Sequence, residues 1–201
     1  MSVRQDEAYG FRGARKKTLP VTFRLPEDLV RELKEEAESA DVTVGTLGRE
    51  VLSRYVSWDT NTKKLRLVPT TRGFVKDVLG YLSDSALKDV ASGSGKHEML
   101  GLILMIKGNL TTDSFVSVFK EWLRSCGMTV RFERTSGYHF VISHDMGGKW
   151  SLYMAHLATA TSAELPNRLS VYYEVRDNTL SLRLTPEKGS LVRTGTGLRH
   201  F

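Results

Sequence analysis

The segment Leu19–Trp58 reads LPVTFRLPEDLVRELKEEAESADVTVGTLGREVLSRYVSW. Its first residues alternate apolar and polar side chains, which is the period of a β-strand, and two stretches with apolar residues at helical spacing follow. A lone strand leaves its backbone hydrogen-bonding groups unpaired and does not persist in water. We therefore expect this strand to pair with a second chain, and the same strand of a second copy is the simplest partner.

Specific residues mark the ends of these elements. Val21, Phe23 and Leu25 share one strand face, because strand side chains alternate between faces. Pro26 stands where a helix start tolerates proline, and Thr43 is placed to cap the second helix. The apolar positions that recur every four residues are Leu29, Leu33 and Ala37 in the first helix and Leu47, Val51 and Tyr55 in the second.

This order of strand, helix and helix over Thr18–Trp58 resembles the ribbon-helix-helix superfamily of DNA-binding proteins, the MetJ/Arc/CopG group. In that family two chains pair their strands into an antiparallel ribbon that enters the DNA major groove. The resemblance implies that Thr22 and Arg24 contact base edges and that backbone N–H groups at the start of the second helix bind a phosphate. The implied phosphate-binding positions are Thr43, Val44 and Gly45, and the implied dimer core is Val21, Phe23, Leu25, Leu33, Leu47, Val51 and Tyr55.

The segment departs from the family pattern in two places. Pro20 occupies a position where family strands often carry another polar side chain, and proline cannot donate to a strand ladder. The reading strand is therefore expected to begin at Val21. Gly45 and Gly48 are poor helix formers, and we expect them to allow close approach of a phosphate and of a partner helix, respectively.

The distribution of charge agrees with this assignment. Residues 26–41 hold seven acidic and two basic side chains, whereas residues 12–24 hold five basic side chains and no acidic one. The first helix is therefore expected to face away from DNA. Arg15, Lys16 and Lys17 are predicted to contact phosphates, and the alternative is that they form only a solvated basic tail.

The nearest competing motif is helix-turn-helix, in which the second helix enters the major groove. The exposed face of the second helix carries polar side chains that can contact bases, among them Thr46, Arg49 and Arg54. That motif assigns no function to the strand before the two helices, so we favour the ribbon.

The chain has 201 residues and a formal net charge of +6, which leans towards polyanionic partners. We predict an α+β protein with a basic arm (1–17), a ribbon-helix-helix domain (18–58), a linker (59–70), a C-terminal α+β domain (71–185) and a flexible tail (186–201). The single cysteine and the absence of a secretory signal or a long apolar run predict a cytoplasmic protein with no membrane association.

The C-terminal part changes its period along the chain. Apolar residues at helical spacing predict a helix over Phe74–Leu82, and the run His97–Lys107, apolar nearly all round, predicts a buried helix. Ser92–Gly95 is predicted to break the chain between these two helices. A third helix is predicted to start at Thr112 and to stop at Gly127. Two hairpins are predicted, with turns at Arg134–Gly137 and Asp177–Asn178. A helix over Lys149–Ala163, with Trp150, Tyr153, Met154 and Leu157 inward, separates them. This order favours an antiparallel sheet packed on helices.

Few side chains in this part have the chemistry of a site. His139, His144 and His156 are weak candidates for metal ligands, since their spacing matches no metal motif, and we expect no cofactor. Cys126 is expected to be an inert thiol, and Gly147–Lys149 is a weak candidate for anion binding. The core rich in Met, Phe and Trp either holds a pocket for an apolar effector or, more simply, packs and adds dimer surface.

The sequence therefore predicts a homodimeric transcriptional regulator, typically a repressor, with double-stranded DNA as its partner and an unknown effector as a further possibility. An antitoxin-like or protein-interaction module is the alternative, although antitoxin tails are usually short. An enzyme is disfavoured, because no acid, base or nucleophile motif is present.

Overall fold

A computed structural model describes residues 18–62 and 70–187 of the chain. The described residues divide into two compact units, with the boundary between Val51 and Leu52. The predicted arm with Arg15, Lys16 and Lys17 lies outside the described residues, as do residues 63–69 of the predicted linker and residues 188–201 of the predicted tail.

The first unit contains the helices α1 (Glu27–Ser39) and α2 (Val44–Arg54), whose last residues extend past the boundary between the units. Residues 18–26 belong to no helix and no strand. The predicted strand over Val21–Leu25 is thus not formed in the single chain, since a strand requires a hydrogen-bonded neighbour. The two helices lie where the apolar spacing predicts them.

After the end of α2, the second unit continues with a π-helical turn (Tyr55–Asp59) and the short α3 (Thr60–Thr62). After residue 70 come five longer helices, two of which, α5 and α6, are joined by a second π-helical turn over Ala91–Gly95. Their bounds are α4 (Arg72–Gly80), α5 (Asp84–Val90), α6 (Lys96–Lys107), α7 (Thr112–Ser125) and α8 (Gly148–Ala163).

The predicted break at Ser92–Gly95 is wrong. The backbone stays helical through these residues and runs from α5 into α6, with Val90, Gly95 and Lys96 all in the right-handed helical region. Two glycines and two serines weaken a helix by only about 1 kcal/mol per glycine, and the apolar contacts of buried Ala91 on one side and Met99 on the other outweigh that cost.

Four antiparallel strands form one sheet in the order β1-β2-β4-β3. Their bounds are β1 (Thr129–Arg134), β2 (Tyr138–Ser143), β3 (Leu169–Arg176) and β4 (Thr179–Pro186). Both predicted hairpins are confirmed, the first with Arg134 opposite Tyr138 and the second with Arg176 opposite Thr179. The expectation of an α+β fold with an antiparallel sheet packed on helices is therefore confirmed.

The core lies between one face of the sheet and the helices α7 and α8. Phe119 of α7 meets Phe140 of β2 edge to face, with 5.7 Å between ring centroids, a preferred aromatic geometry. Met154 and Leu157 of α8 are buried as predicted, whereas Trp150 and Tyr153 are half-buried. The helix α6 is less buried than its composition predicts, because Leu104 and Met105 are exposed.

Candidate nucleic-acid interface

The first unit carries its large apolar side chains on the outside. Val21 is 72 % exposed and Phe23 59 % exposed, and among the described residues of this unit only Ala37 is buried. Leu33 and Leu47 are half-buried. The other exposed large apolar residues of the unit are Leu19, Leu25, Leu29, Val44 and Val51. This many exposed large apolar side chains in one small unit favours a surface that another molecule covers.

The predicted base-contacting residues Thr22 and Arg24 lie among these apolar residues, in the segment before α1. Both side chains are exposed. Neither makes a hydrogen bond or an ion pair with the part of the chain that is described. Their donors are therefore free to bind another molecule, and along the sequence they alternate with Val21, Phe23 and Leu25.

The helix α1 begins after Pro26 and has Glu27 and Asp28 in its first turn. Acidic side chains there favour the helix through its dipole, and the Asp28 carboxylate also accepts the N–H of Leu29 at 2.9 Å. No basic side chain lies in the last turn. The surface of α1 is thus predominantly negative, and phosphates would be repelled from it.

The turn between the helices is built on Asp41, whose φ of +54° lies in the left-handed region, where Asp is among the tolerated residues. The N–H of Val42 donates to the carbonyl of Ala37 at 2.9 Å. Thr43 then caps α2, because its Oγ1 accepts the N–H of Thr46 at 3.1 Å. The predicted N-cap is confirmed.

The start of α2 brings together the three predicted phosphate contacts Thr43, Val44 and Gly45. The first intrahelical bond of α2 joins the N–H of Leu47 to the carbonyl of Thr43 at 2.9 Å. The N–H groups of Val44 and Gly45 precede it and have no intrahelical acceptor. All three residues are exposed, so this helix end is open to an anion.

Neither glycine of α2 is required by crowding within the described chain. A Cβ atom at Gly45 would meet only Oγ1 of Thr43 at 3.9 Å, and one at Gly48 would meet nothing within 4 Å. The space beside both positions is therefore available to an incoming group.

Two of the predicted metal ligands, His139 and His156, contact other side chains. His139 lies 3.1 Å from Oγ of Ser181, and His156 meets the ring of Tyr173 edge to face at 6.1 Å. Within residues 18–62 and 70–187, no group of three or more His, Cys, Asp or Glu side chains is arranged to hold a metal ion.

His144 is held in a loop between β2 and α8. Its Nδ1 accepts the N–H of Met146 at 3.1 Å, so the proton of the neutral ring is on Nε2. Nε2 therefore donates to Oγ of Ser151 at 2.8 Å, and that hydroxyl donates to the carbonyl of Asp177 at 3.2 Å. In this tautomer His144 cannot accept the serine proton, and the pair lacks the base needed for nucleophilic catalysis.

The other candidates in this loop have protein partners as well. The N–H of Gly147 donates to Oδ1 of Asn178 at 2.8 Å, and Lys149 is paired with Asp84. Asp145 accepts a hydrogen bond from Arg72 at 2.9 Å. The anion-binding role considered for Gly147–Lys149 thus has neither a free amide at Gly147 nor a free ammonium group.

Cys126 is half-buried at the end of α7. Burial raises the pKa of its thiol, against smaller lowering effects from the hydrogen bond with Ser125 and the charge of Arg72. The residue is therefore a neutral thiol near pH 7, which is the less reactive form.

A cavity of about 210 Å³ lies in the second unit. Three aromatic side chains line it, those of Trp58, Trp122 and Tyr153, together with Met99, Leu102 and Glu98. From the sequence, a pocket in the Met-, Phe- and Trp-rich core was the less favoured alternative to plain packing, and no lining residue was predicted. The feature of the sequence that could have indicated this pocket is the presence of Trp58 and Trp122 in two separate helical segments.

Comparison with protein-family models, curated proteins and solved structures finds no match to this chain. Across the described residues, no individual helix has the length and apolar character to cross a membrane. The helical segments Asp84–Lys107 and Thr112–Ser125 are long and apolar enough only when they are taken together, and the chain bends by 105° between them.

Proposed function

We propose that this chain is a homodimeric, sequence-specific DNA-binding transcriptional regulator of the ribbon-helix-helix type. The supporting observation is the exposed apolar surface around Val21, Phe23 and Leu25, in a unit where Ala37 alone is buried among the described residues. About 50 residues with so small a core are not stable without association. A second copy supplies the matching apolar face and the missing strand neighbour.

The polar residues of the same segment supply the recognition chemistry. When the face of Val21, Phe23 and Leu25 is covered, alternation directs Thr22 and Arg24 outwards. An arginine binds the O6 and N7 atoms of guanine with two hydrogen bonds, and a threonine contacts several bases or a thymine methyl group. The acidic surface of α1 turns away from the phosphates.

The start of α2 is suited to fix the ribbon on the DNA backbone. The N–H groups of Val44 and Gly45 have no acceptor within α2, and the dipole of α2 favours an anion at this end of the helix. Two copies place two such helix ends on one DNA site. Contacts of this kind set the register of a protein on DNA without reading its sequence.

Four reading side chains per dimer give limited specificity, since each base pair discriminates by about 1–3 kcal/mol. The basic residues Arg15, Lys16 and Lys17 would add affinity that falls with salt concentration. Selectivity beyond the ribbon then requires more than one dimer on adjacent sites.

The deciding experiment is binding-site selection from random DNA with the full chain, followed by the variants Arg24→Ala and Arg31→Ala. Arg24→Ala should weaken binding to the selected site by about 1–3 kcal/mol and relax the base preference at one position in each half-site. Arg31→Ala, which removes a charge from the acidic helix α1, is the matched control and should retain both. The proposal would be refuted if no sequence were enriched from the random DNA, or if Arg24→Ala kept the base preference of the parent chain.

A second candidate is a protein-interaction module, for which one surface of the second unit provides support. Phe74 and Val78 lie four residues apart on α4 and are 63 % and 44 % exposed, and Tyr81 follows at 91 %. If this stripe binds another copy, the full chain should sediment as a species larger than a dimer. The double variant Phe74→Ser/Tyr81→Ser should then sediment as a dimer, and identical profiles would exclude this role.

A further inference from the structure

Both π-helical turns of the described chain contribute residues to the lining of the cavity in the second unit. Trp58 comes from the turn Tyr55–Asp59, and Ser94 and Gly95 come from the turn Ala91–Gly95. A π-helical turn is rare, is less stable than the α-helix around it and occurs often at functional sites. The presence of two such turns at one cavity favours a binding site over core packing alone.

Gly95 keeps the wall of this cavity thin. A Cβ atom there would come within 2.7 Å of the hydroxyl oxygen of Tyr153 and 3.4 Å of Cδ1 of Leu157. Any larger residue would push the Tyr153 ring away from its place. The close approach of the helix backbone to Tyr153 therefore depends on glycine.

The lining has the chemistry of a site for a cation. The faces of Trp58, Trp122 and Tyr153 carry the negative part of the aromatic quadrupole, and cations bind over such faces. The exposed carboxyl group of Glu98 also lines the cavity and forms no ion pair with the described residues. The lining contains no lysine or arginine, and Lys96, next to Gly95, is engaged by Glu164 at 2.7 Å.

The same wall is unsuited to an anion. Because the helix runs unbroken through Ala91–Gly95 into α6, it presents no helix start with free N–H groups to the cavity. The carboxylate of Glu98 lines the same cavity as Tyr153, and burial raises the pKa of the Tyr153 hydroxyl, with smaller contributions from Cys126 and Glu98. A negative ligand would meet repulsion without compensating donors.

The volume limits the size of the ligand. Sites for drug-sized molecules span about 300–1,000 Å³, whereas this cavity holds about 210 Å³. We propose that it binds a small organic cation of the quaternary ammonium class, with the charged group between the two tryptophans and Tyr153 and opposite the carboxylate of Glu98. This site stands independently of the DNA-binding proposal.

The test is calorimetric titration of the full chain with two probes of equal shape, choline and its neutral isostere 3,3-dimethylbutan-1-ol. Choline should bind in a saturable manner and at least about tenfold more tightly than the alcohol. Glu98→Gln should reduce choline affinity about tenfold and leave the alcohol unchanged. Glu133→Gln removes an exposed carboxylate from β1, outside the cavity, and should change neither.

A second variant separates the aromatic contribution from the charge. Trp122→Leu keeps the position apolar and should weaken choline binding by about tenfold or more, with an unchanged circular dichroism spectrum showing that the fold is retained. Equal affinity for the two probes would overturn the proposal in favour of a merely apolar pocket. Failure of choline to saturate the protein would overturn it in favour of a packing gap.

Discussion

The Nε2 atom of His144 lies 2.8 Å from Oγ of Ser151, a side chain with no exposed surface. The contact joins the loop after β2 to the first turns of α8. Oγ of Ser151 in turn donates a hydrogen bond to the carbonyl of Asp177 in the β3–β4 turn. The N–H of His144 also donates to the carbonyl of Asn178 at 2.9 Å. Two loops that are distant in sequence are thereby held together at one end of the sheet.

This arrangement predicts a loss of stability in acid. Burial lowers the pKa of His144 below its ordinary value of 6.5, against a smaller raising effect of Asp145. Between the folded-state pKa and about 6.5, the unfolded chain therefore binds more protons, and stability rises with pH in that interval. The stabilisation should be complete above about pH 6.5 and lost as the pH falls through the folded-state pKa. Urea unfolding at successive pH values measures it.

The variant His144→Gln tests the assignment, because an amide can hydrogen-bond to Ser151 but does not titrate near neutral pH. It should show a flatter stability profile below pH 6.5 than the parent chain. His139→Gln is the control, since it alters an imidazole within β2 that meets Ser181 instead. A profile of His144→Gln that is parallel to that of the parent would contradict the account.

A second prediction concerns the end of α7. Nη2 of Arg72 donates to the carbonyls of Cys126 at 3.2 Å and Gly127 at 3.0 Å, and Gly127 has a φ of +70°. Gly127→Ala should destabilise the protein by more than the roughly 1–2 kcal/mol of a left-handed alanine, because the new Cβ would also collide with Arg72. Thermal unfolding measures the difference.

Gly101→Ala provides the matched control for this substitution. Gly101 lies inside α6, and a Cβ atom there would meet nothing within 4 Å. Alanine is favoured over glycine in a helix by about 1 kcal/mol, so this variant should be more stable than the parent. Equal losses in the two variants would show that neither the backbone conformation nor Arg72 matters at Gly127.

Much of the second unit could be predicted, because alternation and turn residues determine hairpins locally. The break predicted at Ser92–Gly95 failed for the opposite reason, since glycine content describes a local preference that burial of neighbouring residues outweighed. In the first unit the cap at Thr43 was predictable from adjacent residues. The strand predicted over Val21–Leu25 is not formed in the described chain, because a strand needs a hydrogen-bonded neighbour that a local pattern cannot supply. The cavity depends on residues far apart in sequence, among them Trp58 and Trp122.

A third prediction separates dimer formation from base reading at two adjacent residues. Phe23→Glu places a charge on the exposed apolar face and should convert the full chain to a monomer that binds no specific DNA, because an unpaired charge at an apolar interface is strongly disfavoured. Thr22→Ala should leave the mass unchanged and weaken only specific binding. Sedimentation equilibrium and DNA titration measure the two properties. A Phe23→Glu chain that remains dimeric would show that the ribbon face is not the interface.

The fourth prediction concerns Thr43, which has two proposed roles that a pair of substitutions can distinguish. Thr43→Ala removes the acceptor for the N–H of Thr46 and should lower stability by about 0.5–2 kcal/mol. Thr43→Ser retains that acceptor and should stay near the parent value. If the start of α2 also binds a phosphate, Thr43→Ala should weaken binding to all DNA sequences alike, since frayed N–H groups of Val44 and Gly45 no longer form a fixed anion site. Thermal unfolding of the chain and titration with specific and random duplexes measure both effects. A loss confined to the specific duplex would place Thr43 at a base edge instead.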